Sequence, residues 1–196
     1  MTHLTVERLD VVEPDGQLVL SLGNSRRLPR PLIDGRTLET DRAAPGLIFF
    51  DGKGWEVGGL IYKTGTPGGP IDAGAQLSFD QYRNDQVVVL RYSDEGSTRS
   101  AGLYIHDRAR TPDLVELLAL EKRLARASPA ERAAAEKELA HVAAQRVFVG
   151  STDETASVRL SDRQGNERIR IYVDPAGNAR IDFLDPAGAL VDRIPR

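Results

Sequence analysis

The chain has no cysteine, which excludes disulfides, thiolate zinc sites, iron–sulfur clusters and a cysteine nucleophile. Lysine is scarce, occurring at Lys53, Lys63, Lys122 and Lys137, and the remaining basic residues are arginine. The formal net charge is only −3, so no global field favours a polyanion and nucleic acid is not an expected partner. No stretch approaches the roughly 18 consecutive apolar residues of a membrane-spanning helix. The opening Met-Thr-His-Leu-Thr-Val lacks the basic-then-apolar order of a secretory leader. A cytoplasmic location is the default expectation, replaced by an extracytoplasmic one if a leader or anchor has been removed.

What the chain does have is an ordinary globular composition, 40% hydrophobic and 28% charged across 196 residues. That suits one domain spanning residues 1–196, large enough to fold without a staple. Its strongest internal pattern is Asp-x-x-Gly between alternating apolar and polar residues. The pattern occurs at Asp51–Gly54, Asp162–Gly165, Asp174–Gly177 and Asp185–Gly188, with Glu13–Gly16 as a variant. Asp bonds amides two residues on, and Gly accepts a left-handed backbone, so each copy reads as a hairpin turn.

The C-terminal stretch therefore reads as a four-stranded meander over 156–161, 167–173, 179–184 and 190–195. In Arg168-Ile169-Arg170-Ile171-Tyr172-Val173 the three aliphatics share one face, expected to be buried, and the other three residues share the face expected to meet water. The N-terminal half repeats this logic over 4–12, 17–22, 46–50, 55–62, 76–82, 86–92 and 99–106, with loops at 23–45 and 63–75. The fold class expected is mainly β: an antiparallel meander of about eleven short strands, as a barrel, sandwich or small propeller-like array. An α-helical hairpin over 112–146 interrupts it. Its first helix has Thr111 as cap and Pro112 in the first helical position, and Ser128-Pro129-Ala130-Glu131 reads as a capping box for the second.

Several phrases together resemble a bacterial β-rich family to which no activity is attached. They are Val6–Gly16, Gly46–Phe50, Gly58-Gly59-Leu60-Ile61, Leu77-Ser78-Phe79-Asp80-Gln81-Tyr82, Asp85-Gln86-Val87-Val88 and Ala101-Gly102-Leu103. The resemblance spans roughly residues 4–110. It implies a β fold, and in some members a preceding hydrophobic anchor, and it implies nothing about chemistry.

The densest cluster of chemistry-bearing residues is Asp80, Gln81, Tyr82, Asp85 and Gln86 around one turn. It offers carboxylates and amides for a sugar or peptide, or a carboxylate pair for acid–base work on a glycoside; the competing explanation is a hydrogen-bonded hairpin turn. Arg26, Arg27 and Arg30, with Arg36, form the one basic cluster, fit either for an anionic partner or simply for a solvated loop. His106-Asp107 cannot form a dyad, because strand neighbours point to opposite faces. His3, His106 and His141 lack metal-ligand spacing, the Asp-rich turns do not match a calcium loop, and Gly65–Gly69 lacks the lysine of a phosphate loop. Trp55 is expected in the core. No metal and no cofactor are expected.

The function this favours is a noncatalytic binding or scaffold module that binds a protein partner or another copy of itself through the helical hairpin. The alternative is a carboxylate-dependent hydrolase or isomerase acting on a carbohydrate or other polar small molecule. A third is a small-ligand binder with an apolar barrel interior.

Overall fold

The computed structural model describes residues 2–33, 35–38, 44–65, 68–139 and 142–195. The aspartate turns form as the sequence requires. Asp162 Oδ1 accepts from the amides of Gln164 and Asn166, both at 3.0 Å. Asp174 accepts from Ala176 and Asn178 and Asp185 from Ala187 and Ala189, in the same arrangement. The Asn178 side chain first, then its backbone amide, holds the Asp174 carboxyl below its ordinary value. Gly165 completes its turn at φ +87°, a conformation that glycine adopts without steric cost.

These turns separate strands. Along the chain come β1 (Arg8–Val12), β2 (Leu18–Gly23), the two-residue β3 (Leu32–Ile33) and β4 (Arg36–Thr37), and β5 (Gly46–Phe50). Then follow β6 (Glu56–Lys63), β7 (Ala73–Asp80), β8 (Gln86–Asp94) and β9 (Arg99–Arg108). The helices α1 (Leu114–Leu124) and α2 (Pro129–Leu139) precede β10 (Ala143–Thr152). The chain finishes with β11 (Thr155–Ser161), β12 (Glu167–Val173), β13 (Ala179–Leu184) and β14 (Leu190–Ile194).

Twelve strands join in one antiparallel sheet, each hydrogen-bonded to the next in chain order, while β3 and β4 pair separately. The expectation of a mainly β antiparallel meander with two inserted helices holds. Three strands went unforeseen: β3 and β4, inside the expected loop at 23–45, and β10, whose first residues, 143–146, fell inside the expected hairpin. Val147-Phe148-Val149 is a short apolar run that periodicity cannot assign to helix or strand. Here it pairs on both sides, with Ile105 and Leu160 opposite Val147.

Register sorts the side chains into two faces, because directly paired residues in an antiparallel ladder point the same way. One row crosses all twelve strands as Leu9, Leu22, Leu47, Leu60, Leu77 and Leu90, then Leu103, Val149, Val158, Ile171, Ile181 and Ile194. Every member is aliphatic. The next row, on the opposite face, runs Asp10, Ser21, Ile48, Gly59, Ser78 and Val89, then Tyr104, Phe148, Arg159, Arg170, Asp182 and Arg193.

Burial reverses the expected assignment of these faces. Ile171 and Val173 are exposed, whereas Asp182 on the polar face is buried. The physical cause is side-chain length. Long guanidinium side chains lie across the polar face and cover the small or aromatic groups beneath: Arg159 lies over Phe148 and Arg91 over Tyr104. Among the described residues neither helix packs extensively on any strand, so neither forms a second layer over the aliphatic face. A smaller core, with Leu28, Ile48 and Phe50 against Leu18, Leu32 and Ile61, fills the polar face near its N-terminal strands.

Candidate functional site

The turn between β7 and β8 brings most of the sequence-derived candidates together, and it joins them to the base of the helical hairpin. Gln81 N–H donates to the Asp85 carbonyl at 3.1 Å and Asn84 N–H to the Gln81 carbonyl at 2.8 Å, which closes the turn. The side-chain amides of Gln81 and Asn84 then both donate to the Ala109 carbonyl, at 3.2 and 3.0 Å. Asn84 is buried, and a buried amide must find partners. Asp85 accepts from Arg108 Nη2 at 3.0 Å, and Arg108 Nε donates to the Gln86 carbonyl at 2.7 Å. Gln86 accepts through its side chain from Gln76. Asp80 ends β7 opposite Gln86.

Arg83 is the central member, although no local pattern singles it out. Its φ is +56°, a left-handed conformation uncommon outside glycine. Its carbonyl accepts from Leu114 N–H at 3.0 Å, at the start of α1. Its guanidinium donates twice to Asp113 Oδ2, at 3.0 and 2.8 Å, and lies 4.8 Å from the centroid of the Trp55 ring. Trp55 is buried, as its place in an alternating strand led one to expect.

Asp113, not Thr111, caps α1. Its Oδ1 accepts from the Glu116 amide at 3.0 Å, while Glu116 Oε2 accepts from the Asp113 amide at 2.8 Å. The Asp-x-x-Glu box was legible in the sequence, but the preceding Thr-Pro pair competed with it. The Glu116 amide foremost, with Arg83 assisting, holds the Asp113 carboxyl below its ordinary value. The Ser128 box of α2 forms as expected, with Ser128 N–H donating to Glu131 at 2.8 Å.

Between turn and hairpin lies an open cleft lined by Gln81, Tyr82, Arg83, Arg110, Asp113 and Glu116. Tyr82 stands at its side, 66% exposed. Of the carboxylates that the enzymatic alternative would use, Asp85 is engaged by Arg108 and Asp80 is the last residue of β7. His106 is on the polar face opposite Gln145. Burial, then the charges of Arg108 and Arg91, lower its pKa, with Asp85 acting the other way. Asp107 points to the other face and pairs with Arg146, so the two do not form a dyad.

The arginine cluster lies elsewhere. Register places Gly23 beside Gly46, Ile61 and Gln76, so Arg26 and Arg27 open the loop after β2 away from the 81–85 turn, whereas Gly35, next to Arg36, donates to the Gly54 carbonyl at 3.2 Å. Arg27 pairs with Glu7 at 2.8 Å, Arg26 is exposed, and Arg30 is an exposed neighbour in the same loop. The two sets of candidates do not form one site. Among the described residues no group of three or more His, Asp or Glu side chains is arranged to hold a metal ion, and no helix is long and apolar enough to cross a membrane.

Comparison with models of known protein families, with curated proteins and with solved structures finds no match.

Proposed function

We propose that the chain is a noncatalytic binding or scaffold module in which the sheet is a frame and the helical hairpin is the element offered to a protein partner. The observation that carries this reading is that α1 has no fully buried residue, and that Leu114, Leu117, Leu118, Leu120 and Leu124 are only half-buried. An amphipathic helix in a globular domain normally buries its apolar stripe against its own fold. This one stands off the sheet, and the described contacts that position it are polar. Arg83 and the 81–85 turn hold its N-terminal end. At its other end, Arg132 of α2 donates to the carbonyls of Leu124 and Ala125. A half-buried leucine stripe on a fixed base suits helix-in-groove recognition.

The test uses the full chain as bait against lysate of its source cells, beside a Leu117→Glu/Leu120→Glu variant. Leu117 and Leu120 are half-buried, so sheet dichroism and melting of the variant are measured beside the wild type to establish that the sheet is retained. A protein captured by the wild type and lost by the variant supports the reading. Equal capture of every protein by both contradicts it.

A further inference from the structure

We infer that the aliphatic face of the sheet is covered by a second copy of this chain. The inference concerns a different surface from the hairpin and does not depend on the reading above. Its first support is the twelve-rung aliphatic row, which at a strand spacing of about 4.8 Å extends for about 50 Å. Leu90 is 56% exposed, and Val149 and Ile171 are each 44% exposed. Over the last five strands of the sheet the same face hollows into a groove of about 650 Å³ lined by Val149, Val158, Ile171, Val173, Ile181 and Ile194.

The second support is area. The chain exposes 12,988 Å², whereas a folded monomer of this mass is expected to expose about 9,100 Å². The excess, about 3,900 Å², is several times the roughly 800 Å² per partner that a standard interface hides. Monomers rarely leave apolar patches larger than a few hundred Å² uncovered, and a sheet with one apolar face needs a second layer.

The third support is chemistry that selects the occupant. The face carries almost no charge at its centre, so nothing on it discriminates against an identical face, and sheets pack face to face at about 10 Å. Lipid fits less well. β8, β9 and β10 reach nine or ten residues, but β1, β5 and β14 have only five each, and every strand of a transmembrane barrel needs about 9–11. In β12 the outward residues Ile169, Ile171 and Val173 span about 14 Å, against the roughly 25 Å of a membrane barrel's apolar band.

The test is the mass of the full chain in solution, measured by light scattering on a sizing column. The inference predicts a multiple of 21.4 kDa for the wild type, a fall to 21.4 kDa for Leu90→Glu/Ile171→Glu with sheet dichroism retained, and no change for Ser157→Glu on the polar face. A wild-type monomer overturns it, and so does a folded double variant that keeps the oligomer. If the double variant does not fold, the conservative Leu90→Cys and Ile171→Cys replace it: protection of the single thiol from maleimide in the folded oligomer supports the inference, and free labelling overturns it. Flotation of wild-type monomer with phosphatidylcholine–phosphatidylglycerol vesicles would assign the face to lipid and equally overturn it.

Discussion

Arg159 lies across the ring of Phe148 with its guanidinium carbon 4.0 Å from the ring centroid, so a cation covers a fully buried aromatic on the polar face of the sheet. The ring fits there because Gly102 leaves room beside it. A Cβ on Gly102 would lie 2.6 Å from Phe148 Cε2 and 2.8 Å from the Val149 carbonyl. Phe148→Ala is expected to cost about 3–5 kcal/mol by loss of the buried ring. Gly102→Ala is expected to cost about 1–3 kcal/mol by overpacking against ring and backbone. Urea unfolding of the two variants beside the wild type checks both.

A second prediction concerns Asp182 and Arg193, joined by two hydrogen bonds of 2.6 and 2.8 Å. Asp182 is buried, and the Arg193 hydrogen bond first, with Tyr172 and the charge of Arg170 assisting, lowers its pKa. Asp182→Asn should cost about 1.5–3 kcal/mol at neutral pH, the usual loss for a hydrogen bond to a charged group. A carboxyl with a folded pKa below its unfolded value stabilises the fold above that unfolded value, and loses the contribution as pH falls towards the folded one. The wild type should therefore lose stability below about pH 4 more steeply than Asp182→Asn.

His106 has the pH dependence of a base made harder to protonate. Its folded pKa is lowered by burial and by Arg108 and Arg91, so the unfolded chain takes up a proton first as pH falls through about 6.5. The stabilisation from keeping His106 neutral is complete above that pH and declines below it, towards the folded value. Melting temperature followed from pH 8 down to about pH 5 should fall less for His106→Gln than for the wild type. Parallel curves would contradict this.

Asp113→Ala should loosen the hairpin without melting the sheet. It removes a cap worth about 1 kcal/mol to the helix and leaves Arg83 without one of its partners. The expected result is faster amide exchange across 114–124 with unchanged exchange in β8 and β9. Slowed or unchanged exchange in α1 would contradict the role given to Asp113.

How much of this the sequence disclosed depends on how local the cause is. The turns at Asp162, Asp174 and Asp185 are each decided within five residues, and they lie where the pattern put them. The box at Ser128 is likewise local. The register that lines up Leu9 through Ile194 was present as alternation, but the side of the sheet facing solvent was not, because that depends on what covers it. Arginines on an alternating strand normally mark a solvated face; here Arg159 and Arg91 lie along the sheet over Phe148 and Tyr104, and the isoleucines take the outside. The tie between residues 81–86 and the base of the helices was not legible for a related reason. Gln81, Asn84 and Asp85 find their partners at Ala109 and Arg108, more than twenty residues away, and no local pattern announces that. Thr111 was favoured over Asp113 because Pro112 suits a first helical position, whereas the Arg83 contact that also engages Asp113 is non-local.

The molecule divides into a sheet that folds without the hairpin and a hairpin carried on it, and one excision tests that division directly. The Ala109 amide donates to the Val142 carbonyl at 2.8 Å, so residues 110–141 can be replaced by an Asn-Gly turn that joins two backbones already paired. Thermal unfolding of this shortened chain, followed by dichroism of the sheet, is the measurement. A single cooperative transition within a few degrees of that of the full chain is the result predicted. Loss of the transition, or a shortened chain that never acquires the sheet signal, would show that the hairpin is part of the frame and would contradict the account.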